Sequence, residues 1–150
     1  MTTVTVKIEG LDSVQRMLRY YGREAERQLD DEIKATAQEA RNSAVRGIQR
    51  GPKTGEVYPP VRGRRGSPHR ASSPGEYPAT DTGTLVRSVA AVRETGGWAV
   101  GSSIPYARHL EFGTQKMRPR PWLVRSVRDA VDGFGRRLGV RLRRIGLVRR

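Results

Sequence analysis

The strongest constraint on the fold is a stripe of apolar residues in the first third of the chain. From Leu11 to Ile48, apolar side chains recur at steps of three and four residues, which places them on one face of an α-helix. The stripe consists of Leu11, Val14, Leu18, Tyr21, Ala25, Leu29, Ile33, Ala37, Ala40, Ala44 and Ile48. Asp12 is suited to cap the helix, and Gly22 to break or bend it. The pattern predicts a long amphipathic N-terminal helix.

Two other regions are predicted to form β-strands. Residues 2–8 alternate valine and isoleucine with polar residues, as in a strand with one buried face. Residues 89–93 and 98–101 are predicted to form two further strands, because the Gly96-Gly97 pair between them favours a hairpin turn. We therefore expect a small antiparallel sheet made of the first strand and this hairpin.

Three further segments are predicted to be helical. Residues 82–88 suggest a short turn of helix before the hairpin, while Pro105 and Gly113 are suited to the start and end of a second short helix. Residues 123–145 repeat the spacing of three and four, although three glycines weaken this helix by about 1 kcal/mol each. The expected fold class is α+β, a small antiparallel sheet packed against a long N-terminal helix and a C-terminal helix.

The segment at about 49–80 has a different composition. Prolines stand at positions 52, 59, 60, 68, 74 and 78, among glycine, serine, threonine and arginine. Such a segment is expected to be an extended loop that contributes nothing to the core, and loops of this length in compact domains are usually functional. We interpret it as an assembly arm within one domain that spans residues 1–150.

The positive charge is concentrated at the C-terminal end. The chain has a formal net charge of +14, yet residues 1–48 contain equal numbers of acidic and basic groups. Residues 136–150 contain seven arginines and no acidic residue, and so supply half of the excess. This polarity predicts an anionic partner, either DNA or an acidic protein surface. The residues expected to make that contact are Arg136, Arg137, Arg141, Arg143 and Arg144.

Residues that could support catalysis are few. The two histidines, His69 and His109, are far apart in sequence, and nothing in the spacing of Asp81 and Glu111 makes these two carboxylates converge. The segment 51–55 lacks the spacing of a phosphate-binding loop. The chain has no cysteine and no run of about 18 apolar residues. We therefore expect no enzymatic activity, no catalytic residue, no cofactor, no metal and no membrane partner.

Residues 71–89 and 100–123 contain a series of short motifs whose order and content are informative together. The motifs are Pro74-Gly75-Glu76-Tyr77-Pro78, Thr82-Gly83-Thr84-Leu85-Val86-Arg87-Ser88, Val100-Gly101, Tyr106-Ala107, Glu111-Phe112-Gly113-Thr114 and Arg118-Pro119-Arg120-Pro121-Trp122-Leu123. In combination they resemble the tail-component, tail-completion and neck proteins of long-tailed bacteriophages and prophages. The resemblance covers most of the chain, with residues 49–70 and the arginine-rich end as its variable parts.

The resemblance implies a structural virion subunit that forms a homo-oligomeric ring, expected to be a hexamer, at the head-tail junction. Its partners would be the neighbouring connector or head-closure, tail terminator and tail tube proteins, with DNA in the lumen. The protein would reside in the virion neck, and in the host cytoplasm during assembly. The alternatives are a tail terminator or head-closure ring, a basic nucleic-acid-binding protein and, as a weaker rival, a phage hydrolase or nuclease.

Seven residues are expected at the assembly interface: Tyr58, Arg64, Arg65, Tyr77, Glu111, Arg118 and Trp122. Glu111 is expected either to cap a helix or to pair with an arginine. Trp122 is expected to pack inward from the first turn of the last helix, because Pro121 is suited to begin that helix.

Overall fold

The computed structural model of the chain describes residues 14–15, 19, 22–60 and 68–147. Its elements are α1 (Arg23–Arg50), β1 (Val57–Tyr58), β2 (His69–Arg70), α2 (Thr84–Ser88), β3 (Val89–Glu94), β4 (Gly97–Ser102), α3 (Tyr106–Phe112), α4 (Leu123–Asp132) and α5 (Phe134–Arg144). The predicted first strand at 2–8 and most of the predicted helix before Gly22 lie outside the described residues. The expected α+β class is confirmed.

Helix α1 is the element around which the others pack. Every residue of the predicted stripe from Ala25 to Ile48 is buried, so the spacing identified the inner face correctly. Gly22 precedes the helix with a φ of +88°, a conformation that glycine adopts without the steric cost of a side chain. Helix α1 thus buries the predicted apolar stripe from Ala25 to Ile48, together with the polar residues Glu32 and Thr36.

Two core clusters lie along that face. The C-terminal half of α1 packs with the β3–β4 hairpin, α2, α3 and α4 in a cluster that includes the fully buried Trp122 and Leu123. The N-terminal half packs with α5, where Leu29 and Ile33 meet Leu138 and Leu142. Trp98 contacts both clusters. The two halves of α1 therefore depend on different partners.

Strands β3 and β4 form the predicted antiparallel hairpin. Val89 pairs with Ser102 and Glu94 pairs with Gly97, which leaves a two-residue turn in which Gly96 has a φ of +84°. Val89 and Val100 are buried, whereas Val92 on the opposite face is half exposed. The hairpin therefore covers α1 with one face and leaves the other open.

The C-terminal helix is bent, whereas a continuous helix over 123–145 was expected. Gly133 separates α4 from α5. A Cβ atom at Gly133 would lie 2.3 Å from Nη1 of Arg137. The Arg137 Nη2 group also donates to the Ala130 carbonyl oxygen at 2.8 Å, which satisfies a carbonyl near the end of α4. The glycine thus leaves room for a guanidinium group at the bend.

The segment at 49–80 is an extended loop that contains a small antiparallel pair. In this pair, Val57 is opposite Arg70 and Tyr58 is opposite His69. The expectation that the segment contributes nothing to the core was wrong for its last part. Tyr77 packs against the main cluster, and Ser72 and Pro78 are buried. Hydrogen bonds to the segment before α4 hold this part of the loop against the body of the protein.

Candidate assembly surfaces

The two motif-bearing stretches lie side by side. The Gly75 amide donates to the Pro119 carbonyl oxygen at 3.0 Å, and Arg120 Nε donates to the Ser72 carbonyl oxygen at 3.0 Å. The Arg120 amide also donates to the Leu110 carbonyl oxygen at 2.7 Å. The segment that ends the arm is therefore joined by backbone-directed hydrogen bonds to the segment that leads into α4.

Glu111, on helix α3, caps helix α4. Its carboxylate is 4% exposed and accepts hydrogen bonds from the amides of Trp122 and Leu123, at 2.8 and 2.9 Å, and of Val124, at 3.0 Å. The first amides of a helix have no partner inside the helix, and a negative charge there interacts favourably with the helix dipole. Of the two predicted roles, capping is the one observed.

Trp122 packs inward, as predicted for the opening of the last helix. Its side chain has no exposed surface, and its indole N–H donates to the Ala107 carbonyl oxygen at 3.4 Å. Neither Trp122 nor Glu111 lies on the surface of the single chain. A direct contact of either side chain with a neighbouring subunit would require the core to open.

Glu76 closes the base of the arm. Its carboxylate accepts the Thr54 hydroxyl at 2.6 Å and the amides of Thr54 and Ser73 at 3.2 and 2.8 Å. These three residues form a clasp between the two ends of the arm, and we call them the Glu76 clasp. The hydroxyl of Thr54 and the Ser73 amide lower the pKa of Glu76, because they stabilise its charged form.

The lowered pKa of Glu76 predicts that acid weakens the clasp. A lowered folded-state pKa contributes stability that is present above the ordinary value near 4.5 and lost as pH falls through the folded-state pKa. We expect an NMR titration to place the Glu76 pKa below the ordinary value. Thr54→Val should raise it, because this change removes the largest stabilising hydrogen bond. An unchanged Glu76 pKa in Thr54→Val would contradict this account of the clasp.

Tyr77 links the arm to the core. Its hydroxyl lies 3.2 Å from the Ser126 hydroxyl on α4, and the guanidinium of Arg125 lies 5.0 Å from its ring centroid. The ring occupies the space beside Gly47 on α1, where an added Cβ atom would lie 2.3 Å from the ring. The absence of a side chain at Gly47 therefore makes this contact possible.

Gly47→Ala is expected to destabilise the fold by about 2 kcal/mol, because the new methyl group must displace the Tyr77 ring. Urea unfolding followed by tryptophan fluorescence measures the change. The matched control is Gly135→Ala in α5, where an added Cβ meets nothing within 4 Å, so a gain of about 0.5–1 kcal/mol is expected. In a Tyr77→Ala background, Gly47→Ala should no longer be unfavourable; a persisting loss there would rule out the steric explanation.

The remaining predicted interface residues lie apart. Tyr58 is 52% exposed on β1 beside the similarly exposed Val57, and Arg118 is exposed on the loop before α4. Arg64 and Arg65 lie outside the described residues. Phe112 is 61% exposed and was not among the predicted interface residues. Helix α3 buries Ala107 and Glu111, which are four residues apart and therefore lie on the same face of the helix. Phe112, the next residue, points away from that face, so the helical spacing of Tyr106-Ala107 and Glu111-Phe112 could have predicted its exposure.

The arginines of the C-terminal segment divide into two sets. Arg137 Nε and Arg141 Nε donate to the two carboxylate oxygens of Glu32, at 2.6 and 2.7 Å, and Glu32 is buried on α1. Arg136, Arg143 and Arg144 are exposed, and no acidic residue in the described part of the chain lies within 4 Å of their charged groups. The number of arginines in the sequence of this segment did not distinguish the two sets.

The weaker catalytic candidates do not form a common site. His69 Nδ1 lies 3.9 Å from the exposed Asp81 carboxylate, whereas the Glu111 carboxylate is occupied by the amides of α4. Within residues 14–15, 19, 22–60 and 68–147, no group of three or more histidine, aspartate or glutamate side chains is placed to hold a metal ion. Over these same ranges, no helix has the length and apolar character needed to cross a membrane.

Comparisons with family models, with curated proteins and with solved structures find no match to this chain.

Proposed function

We propose that this chain is a non-enzymatic structural subunit of a long-tailed phage particle, forming a homo-oligomeric ring, expected to be a hexamer, at the head-tail junction. The observation that carries the proposal is the resemblance of residues 71–89 and 100–123 to tail-completion and neck proteins. The structure supports it in one respect: these stretches form one continuous unit, joined through Gly75, Pro119 and Arg120.

The arm is the part of the structure best suited to hold a neighbouring subunit. Its base is closed by the Glu76 clasp and anchored by Tyr77, while Val57 and Tyr58 are each about half exposed. A ring closes through heterologous contacts, in which one surface of a subunit meets a different surface of the next. An anchored arm with exposed apolar side chains meets this requirement.

Cryo-electron microscopy of the intact particle tests the proposal directly. We expect the chain to be traceable as a ring between the portal and the tail tube, in contact with connector, terminator or tube proteins. Its position would separate a tail-completion ring from a tail terminator or a head-closure ring. Particles that are complete without the chain would overturn the proposal and favour the nucleic-acid-binding alternative, for which the charged C-terminal segment is the supporting observation.

Shortening the arm is expected to abolish ring assembly without unfolding the subunit. The Gly55 amide bonds to the Ala71 carbonyl oxygen at 2.9 Å, so residues 56–70 can be replaced by an Asn-Gly turn that leaves the clasp intact. We expect a melting temperature close to that of the unaltered chain and at least a tenfold loss of particle assembly in a complementation assay.

Two double variants test whether assembly requires the exposed apolar residues of the arm rather than those of other surfaces. Val57→Ser/Tyr58→Ser should impair assembly, whereas Val92→Ser/Val124→Ser, which alters residues of comparable exposure elsewhere, should not. Normal assembly of the shortened chain would remove the proposed role of the arm.

A further inference from the structure

An arginine-lined hollow lies along α5, where that helix runs beside Glu32 of α1. The described residues that line it are Glu32, Arg136, Arg137, Val140, Arg141 and Arg144. Four guanidinium groups therefore surround the Glu32 carboxylate, and the Glu39 carboxylate lies 3.5 Å from Arg137 Nη1, which leaves an excess of two positive charges. Arg143, one residue before Arg144, is also exposed.

The four arginines of the hollow have two different roles. Arg137 and Arg141 are held against the buried Glu32 carboxylate, and Arg137 Nη2 donates in addition to the Thr36 hydroxyl at 3.0 Å. These contacts hold Arg137 and Arg141 in place on the side of the hollow that is next to α1. Arg136 and Arg144 extend from the same helix into solvent, and no acidic partner lies within reach in the described ranges. The outer pair is thus available to an anion from outside.

The chemistry of the hollow favours phosphate over a protein surface. Protein interfaces depend on buried aromatic or aliphatic anchors, and the apolar residue among the lining is Val140, at 39% exposed. A guanidinium group can donate two parallel hydrogen bonds to two oxygens of one phosphate. Arg136 and Arg144 are eight residues apart, about 12 Å along a helix axis. Successive phosphates of a DNA strand rise by about 3.4 Å, so this distance spans several of them.

We propose that the exposed arginines of α5, namely Arg136, Arg143 and Arg144, bind the phosphate backbone of double-stranded DNA without preference for base sequence. Contacts to phosphates position a protein on DNA but do not read its bases. The biological setting rests on the proposed function, since a ring at the head-tail junction encloses the passage of the genome. The binding reaction itself can be measured on the isolated chain.

Fluorescence anisotropy with a labelled 30-base-pair DNA of random sequence, measured at several salt concentrations, tests the inference. For the unaltered chain the logarithm of the association constant should fall steeply with the logarithm of the salt concentration. In Arg136→Gln/Arg143→Gln/Arg144→Gln the affinity should fall at least tenfold, and the salt slope should decrease in magnitude by about 3. The matched control, Arg27→Gln/Arg46→Gln/Arg108→Gln, removes the same charge from other exposed positions and should keep most of the slope.

The conservative triple variant Arg136→Lys/Arg143→Lys/Arg144→Lys retains the charge and should recover most of the salt slope. Equal losses in the test and control triples would overturn the inference, because binding would then follow net charge alone. A test triple that binds DNA normally but loses binding to a polyglutamate peptide would also overturn it, in favour of an acidic protein partner. A ring seen in the particle together with unaltered DNA binding by the test triple would reject this inference alone and leave the proposed function intact.

Discussion

Glu111→Ala is expected to lower the free energy of unfolding by about 3 kcal/mol, one of the two largest effects predicted for a change in this chain. The carboxylate accepts three backbone amides while 4% exposed. Hydrogen bonds to a charged group contribute about 1.5–3 kcal/mol each, and bonds that share one acceptor are not additive. For a chain of 150 residues this loss corresponds to a decrease in melting temperature of roughly 6–12 °C.

Two further variants define the cause of that loss. Glu111→Gln keeps an oxygen that can accept the amides of Trp122 and Leu123, but its NH2 group would face the Val124 amide, so about half of the loss is expected. Glu94→Ala, at an exposed glutamate, should change stability by less than about 0.5 kcal/mol. Thermal and urea unfolding measure all three. A Glu111→Ala effect as small as that of Glu94→Ala would contradict the capping role.

The second large effect is expected from Arg137→Met/Arg141→Met, which should cost about 4 kcal/mol. The double change leaves the Glu32 carboxylate, 2% exposed, without the two cations that now pair with it. Removing the partners of a buried charge costs about 3–5 kcal/mol, because the charge remains desolvated and uncompensated. Each single variant should cost less, since one arginine stays on Glu32.

Adding Glu32→Leu to the double variant should restore most of the stability. Apolar residues that replace a whole buried ion group are often as stable as the group itself. The matched control is the exposed pair of Arg93 and Asp30, at 2.9 Å, where Arg93→Met should cost less than about 1 kcal/mol. If the triple variant remained as unstable as the double variant, the loss would come from packing of the arginine stems rather than from the uncompensated charge.

The salt bridges of Glu32 with Arg137 and Arg141 make a truncation of the C-terminal segment ambiguous as a test of DNA binding. Truncation at Gly135 would remove the exposed arginines proposed to bind DNA together with Arg137 and Arg141, which stabilise the fold. A loss of infectivity after such a truncation would therefore not distinguish lost contacts from unfolding. Substitution of Arg136, Arg143 and Arg144 alone avoids this, because these side chains are exposed.

Local sequence patterns were sufficient to predict the elements that depend on the spacing of apolar residues and on the backbone geometry of glycine and proline. The positions of the buried residues of α1 follow from the helical repeat, and the ends of α3 follow from Pro105 and Gly113. The hairpin follows from two strands around a glycine turn. The inward packing of Trp122 was likewise predicted, because the position of a residue in the first turn of an amphipathic helix indicates its direction.

The relations between distant segments were decided by tertiary structure. The sequence contains seven arginines in 136–150, but only the return of α5 along α1 brings Arg137 and Arg141 to Glu32, more than 100 residues away. The bend at Gly133 permits that return. The same holds for Glu111, whose sequence context is compatible with capping and with arginine pairing, and which caps α4 because α3 packs against the first turn of that helix.

The sequence by itself determined which faces are apolar, where the β3–β4 hairpin turns and where positive charge accumulates, because periodicity, glycine and proline geometry and charge are local properties. Tertiary structure alone decided which polar groups meet: Glu76 with Thr54 and Ser73, Tyr77 with the gap beside Gly47, and Glu32 with two arginines. A buried polar group must find a partner wherever the packing of apolar faces brings one, and that partner has no fixed distance in the sequence.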